Sequence, residues 1–318
     1  MDRGNDSSLA AFLLVNRLEK AGAPPLTVGE YWQVVRSIDD PAWLLKKSSK
    51  EISETTGAPE DLAVRVQSLL SHGRGAALSL EELEQSGIRA ITPFDDSYPE
   101  RLQMQLRDAA PPLLFYAGEP SLLSASSLAI VGSRRVGHEE LDVARHAAAS
   151  AVKRGIGVIS GGARGVDQVA MATAFAEDGI VTGVLADSLI KNLREPDTRR
   201  AILDGRAIFL SHQNPGAGFS VGAAMGRNKI VYALAELTFV VTAAVKSGGT
   251  WTGADEALRR KYGHVAVWMG EGRRPGNELL VEQGATPVSD LEELFDLEPR
   301  AVDITTEDEV ADQLHLGL

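Results

Sequence analysis

The sequence predicts an α/β fold: a doubly wound, mainly parallel sheet with a small all-helical domain in front of it. Three observations carry that prediction. Short apolar runs without alternation recur from residue 128 to residue 288, as strands buried on both faces require. Between them lie helical patterns, with apolar residues at three- and four-residue steps. Glycine-rich loops end the first two runs, so strand, loop, helix and strand follow as a βαβ unit with a right-handed crossover.

Residues 7–90 read as short helices. Leu9, Phe12, Leu13, Val15 and Leu18 mark the first, which is expected to end near Gly22 and the Pro24-Pro25 break. Thr27 can cap a second carrying Tyr31, Trp32, Val34 and Val35, and Asp39-Asp40 before Pro41 starts a third. Stretches 51–57, 59–70 and 78–86 complete the helical part. Residues 88–91 and 113–116 suit extra strands, and the proline-rich turns around them argue against long helices.

From residue 128 the alternation becomes regular. Leu128 to Val131 is a strand, Leu141 to Val152 a helix ended by Gly155, and Ile156 to Ile159 a strand. Helices are expected at 169–177, 198–203, 219–236 and 253–261. Strands are expected at 180–185, 207–210, 237–242, 264–268 and 285–288. Such alternation builds a parallel sheet covered by helices on both faces, a Rossmann-like architecture.

At 318 residues the chain exceeds the usual single-domain size, and three parts are expected: a helical domain at 1–87, the α/β domain at 88–296 and a tail at 297–318. No apolar run reaches about 18 residues, so no membrane span is expected. The N-terminus lacks a secretion signal, cysteine is absent and the six histidines have no ligand spacing; a cytoplasmic protein without a metal or other cofactor is expected. Net charge is −12, which opposes an extended DNA-coating surface. Much of the acid is local, because the last thirty residues hold ten carboxylates against Arg300 alone. A local basic pocket is compatible with that distribution.

Candidate ligand groups sit where open α/β sheets bind ligands, beyond the carboxyl ends of strands. The first loop is Gly132-Ser133-Arg134-Arg135; the second offers Ser160, Gly161, Gly162, Arg164, Gly165 and Asp167. Glycines allow close backbone approach, and N–H groups at a helix start attract anions. Glycines that merely make turns and arginines that merely solvate a loop are the plain alternative. Asp167 is expected to hold its loop by accepting backbone N–H bonds. Arg227, Asn228 and Lys229 lie in a helix whose apolar flank packs on the sheet. Lys246, Ser247, Gly248, Gly249, Thr250 and Thr252 form a third anion cradle, and Trp251 is either core or a stacking platform for a base. No HExxH, Walker A lysine or Ser-His-acid spacing occurs, so a non-catalytic protein is expected.

These motifs, IVGSRR at 130–135, ISGGARGVD at 159–167, GRNKIVYALAE at 226–236 and SGGTWTGADEAL at 247–258, resemble the DNA-processing proteins called DprA or Smf, a Rossmann-like family of the SLOG superfamily. FDDSYP at 94–99 and PPLLFYAG at 111–118 resemble that family's entry into its nucleotide-binding fold. The resemblance implies a homodimer that binds single-stranded DNA in uptake and recombination and loads a RecA-type recombinase. It also implies that Arg227-Asn228 lies close to the ligand pocket, and that residues 52–57 belong to a SAM-like or helix-hairpin-helix module. Departures are Ala170-Met171, Leu193-Arg194 and Ser211-His212, where the family has Ala-His, Tyr-Pro and Ser-Glu, and no winged-helix module is read after residue 296. A small-nucleotide sensor in a stress or phage-defence setting is the alternative. Nucleotide N-glycosidase chemistry is disfavoured, because Trp251 and Asp255 replace a glycine and the glutamate of the related phosphoribohydrolase loop.

Overall fold

The computed structural model describes residues 6–18 and 22–297; the acidic tail lies outside the described residues. The helical part holds α1 (Asp6–Val15), α2 (Val28–Val35), a 3-10 turn (Pro41–Lys46), α3 (Ser49–Thr56), α4 (Glu60–Leu70) and α5 (Gly73–Gln85). Local chemistry sets their ends. Thr27 and Ser48 form capping boxes with Glu30 and Glu51, Asp40 caps the 3-10 turn, and Gly57 closes α3 with a left-handed φ of 68°. Helix α1 ends at Val15, earlier than its periodicity suggests, and α5 begins five residues before the expected start at 78.

After β1 (Arg89–Ile91) comes α6 (Glu100–Leu106), a short helix that the prolines hid, and then β2 (Leu114–Gly118). The α/β unit continues with β3 (Ser127–Gly132), α7 (His138–Lys153), β4 (Gly157–Ser160), α8 (Val166–Ala176) and β5 (Val181–Val184). Next are α9 (Leu189–Asn192), α10 (Pro196–Leu203), β6 (Ala207–Ser211), α11 (Val221–Leu234) and β7 (Leu237–Thr242). The last elements are α12 (Gly248–Arg260), β8 (His264–Trp268), α13 (Pro275–Glu282), β9 (Thr286–Val288) and α14 (Leu291–Asp296).

The nine strands form one sheet in the order β1-β2-β6-β5-β4-β3-β7-β8-β9. Strands β3 to β9 pair in parallel, while β2 lies antiparallel to both β1 and β6. Side-chain alternation splits the core into two layers. Ala129, Val131, Ile159, Val240 and Val267 face one layer with α11 and α12; Leu128, Ile130, Val158, Phe239 and Ala266 face the other with α7 and α8. Both faces are apolar, which explains runs without alternation. Helix α7 buries Ala144, Ala147, Ala148 and Ala151, small side chains that let it lie close to β3 and β4. No helix among the described residues is long and apolar enough to cross a membrane.

The helical part shares the buried core of the sheet. Trp32 donates its indole N–H to the Ala110 carbonyl at 2.8 Å in buried surroundings, and α5 packs on β1. From β3 the chain builds outward to β4, β5 and β6, then returns to add β7, β8 and β9 on the other side. That reversal opens a crevice between the carboxyl ends of β3 and β7, the switch point where such sheets hold ligands.

Candidate nucleic-acid interface

A cavity of about 800 Å³ occupies this crevice. Its walls come from the loop after β3, the start of α12 and one face of α11. The β3 loop begins at a register shift between Val131 and Gly132, where Ser133 donates its N–H to the Thr242 carbonyl at 3.0 Å. Such an irregularity bends the strand end and re-aims the loop beyond it. Two glycines then let the first loop rest on the second. A Cβ on Gly132 would lie 2.5 Å from the Val166 side chain, and one on Gly165, at φ +86°, would lie 2.6 Å from the Ser133 carbonyl oxygen.

Beneath the loops lies a buried ion pair. Arg227 Nη1 stands 3.3 Å from Asp167 Oδ2, with each side chain 6% exposed. Asp167 Oδ1 also accepts the Gly132 N–H at 3.4 Å. Burial pushes the Asp167 carboxyl up; the Arg227 charge and the N–H groups of Gly132 and Ala163 pull it back. Asp167 therefore clamps both glycine loops, more than the single loop expected of it. Arg227 fills the second loop itself, since a Cβ on Gly161 would fall 0.8 Å from its Nη1. The floor is thus net neutral. Tyr232 and Arg227 also leave a hydroxyl and an Nε there without a hydrogen-bond partner among the described residues.

Four helix N-termini approach the cavity, and they differ: α8, entered through Gly165, has no side-chain cap, and its first turn carries Asp167 into the lining. Helix α7 is closed by its own Glu140, whose carboxylate accepts the Gly137 N–H at 2.7 Å. The hydroxyl of Ser220 accepts the Ala223 N–H and so closes α11. Ser247 at the start of α12 makes no such side-chain bond. Unpaired N–H groups and the positive end of the helix dipole are therefore left facing the cavity at α12. This helix starts at Gly248, not near Gly253 as the sequence suggests. Gly248, Gly249, Thr250 and Thr252 accordingly occupy its first turns, and the correction has a simple cause: paired glycines read as loop but are tolerated at a helix start. Asn228 fixes this end by donating to the Gly249 carbonyl at 3.0 Å.

The structure brings together Gly132, Ser133, Arg134, Arg135, Asp167, Arg227, Asn228, Ser247, Gly248, Gly249, Thr250 and Thr252 around the cavity. Ser160, Gly161, Gly162, Arg164, Gly165, Lys229 and Lys246 are not in its lining. Ser160 is buried and donates to the Ile130 carbonyl at 2.7 Å, tying β4 to β3. Arg164 is exposed. Lys229 points to α12, where Glu256 meets it at 2.9 Å. Trp251 is core, 6% exposed.

Sequence reasoning missed three contributors. Arg274 lines the rim and pairs with Glu140 at 2.5 Å; its position one loop beyond β8 at the carboxyl edge was the available signal. Phe219 and Tyr232 also line the cavity. His212 packs its ring against Gly226, where a Cβ would lie 2.5 Å from Nε2. Burial, then the charges of Arg227 and Arg17, hold that imidazole at about 4, so it is neutral near pH 7. Chemically, the site offers backbone N–H groups and arginines converging on one crevice, a receptor for oxyanions. Among the described residues no group of three or more His, Cys, Asp or Glu is placed to hold a metal.

The family model described as DNA recombination-mediator protein A matches residues 89–298. The chain belongs to this family. Among its relatives, the "Putative DNA processing protein DprA" of Mycobacterium tuberculosis is 29% identical over 236 residues, covering 70% of this chain and 60% of the relative. "Protein Smf" of Escherichia coli is 30% identical, covering 69% and 59%. The match thus spans about 60% of the length of these curated relatives. DNA processing protein A from Streptococcus pneumoniae has the same fold: TM-score 0.71, 21% identity, 89% of this chain and 96% of that one. A Helicobacter pylori DNA processing protein A, whose structure was described for its single-stranded DNA binding mode, superposes with TM-score 0.54 at 22% identity over 66% of this chain and 96% of that one. All six motifs that carry the resemblance to the DprA family lie inside the matched segment.

Proposed function

We propose that this protein binds single-stranded DNA through the β3–β7 crevice and takes part in DNA processing and recombination without catalysing a reaction itself. The observation that carries the reading is the uncapped N-terminus of α12 facing the β3 loop and its arginines across one cavity. A backbone phosphate fits between them, held by the first-turn N–H groups of α12 and by Arg134 and Arg135. Arg274 lines the rim with its charge met by Glu140. Arg227 does not neutralise phosphate in this arrangement; with Asp167 it sets the height of the floor.

Two supports favour a strand over a small nucleotide sensor. The relatives are named for DNA processing, and one neighbour of the same fold is described as binding single-stranded DNA. Homodimerisation and delivery of the strand to a RecA-type recombinase belong to the same proposal and rest on the family; a cytoplasmic location belongs to it too and rests on the sequence reading. The test is fluorescence anisotropy of a labelled single-stranded oligonucleotide. Saturable binding is expected, with log K falling as log salt rises at about −0.7 per phosphate contacted. No binding at low salt would overturn the reading.

A further inference from the structure

Around the mouth of the crevice the surface changes character. Phe219 is 53% exposed and Val221 74%, and both line the mouth on the segment entering α11. Large apolar side chains are mostly withdrawn from water elsewhere in the α/β part, so their grouping at this mouth asks for a reason. Phe219 adds nothing to either buried layer. Its ring instead lies beneath the guanidinium of Arg134, whose Cζ is 5.3 Å from the ring centroid. A cation and an aromatic face therefore stand side by side on the rim, above a floor whose charges cancel.

We propose that Phe219 is a stacking platform for one unpaired base, next to the phosphate that Arg134 meets. The inference rests on the reading that the crevice takes single-stranded DNA, and it adds how base and backbone are divided over the site. A ligand recognised by phosphate alone needs the α12 terminus and the β3 loop and makes no use of an exposed ring. A strand presents a phosphate and a π-face within one nucleotide, matching the Arg134–Phe219 pair. Because the Asp167–Arg227 floor is neutral, the ligand's charge stays at the rim and its base lies within reach of Phe219. In a duplex the bases are stacked on each other, so the platform separates single strands from double ones. Stacking of this kind tolerates any base sequence.

The experiment compares the wild type with Phe219→Ala, Phe219→Tyr and Arg134→Ala in anisotropy titrations of a poly-thymidine oligonucleotide and of an abasic oligonucleotide of equal length. Phe219→Ala is expected to weaken the thymidine strand by roughly ten-fold or more, to leave the abasic strand unchanged and to keep the salt slope. Phe219→Tyr restores binding. Arg134→Ala weakens both strands and lowers the salt slope by about 0.7. Equal affinity of Phe219→Ala and wild type for the thymidine strand overturns the platform while the crevice reading stands. Equal loss on both strands also overturns it, because Phe219 would then only position Arg134. Failure of the wild type to bind either strand removes the parent reading as well.

Discussion

Gly161 has no room for a side chain because the Arg227 guanidinium already occupies that space. Gly161→Ala is expected to push Arg227 off Asp167 and leave a buried carboxylate without its partner, costing about 3–5 kcal/mol in urea unfolding. The double substitution Asp167→Leu with Arg227→Met, which removes both charges together, should cost much less than Arg227→Met alone. At His212 the effect depends on pH. Its folded value of about 4 lies below its ordinary 6.5, so the unfolded chain binds the extra proton between those limits. Stability from this group is complete above pH 6.5 and falls as pH drops toward about 4. Melting curves at about pH 7 and pH 5 should show a smaller loss of Tm in His212→Gln than in the wild type.

At the scale of elements, α12 is where function and stability separate. A carboxylate in the first turn of a helix is favourable to the helix itself and hostile to a bound anion. Thr250→Glu should therefore leave Tm unchanged or slightly higher, while oligonucleotide affinity falls at least about ten-fold. Caps in the helical part behave conventionally: Ser48→Ala removes the α3 capping box and should cost about 1 kcal/mol, read by chemical denaturation. These elements also show what the chain makes readable. Strands β3, β4 and β7 were legible because both their faces are apolar, and the caps at Thr27 and Asp40 because one side chain decides each. The start of α12 was not, because Gly248-Gly249 carries no helical signal of its own and the helix there is held by Asn228 from α11. Arg227 reads in sequence as a phosphate ligand near the pocket; its partner Asp167, 60 residues away, is set against it only by tertiary packing.

For the whole molecule, a net charge of −12 is compatible with the proposed anion receptor because the arginines are placed by sheet topology, whereas ten acids crowd the final thirty residues. That ligands sit beyond the carboxyl ends of the strands was implicit in the alternating pattern, but the β3–β7 switch point was not, since nothing in an apolar run states its neighbour. The indole of Trp32 anchored on the Ala110 carbonyl has a practical meaning for dissection of the protein. Helices before β1 and the sheet behind it should melt as one unit, with intrinsic fluorescence and far-ultraviolet ellipticity tracing a single superimposable curve. Cutting the chain at residue 88 would then strip a wall from the remaining half, and the fragment should elute in aggregates from a sizing column. A ligand in the crevice would, by the same linkage, be felt as added heat resistance in helices that never touch it.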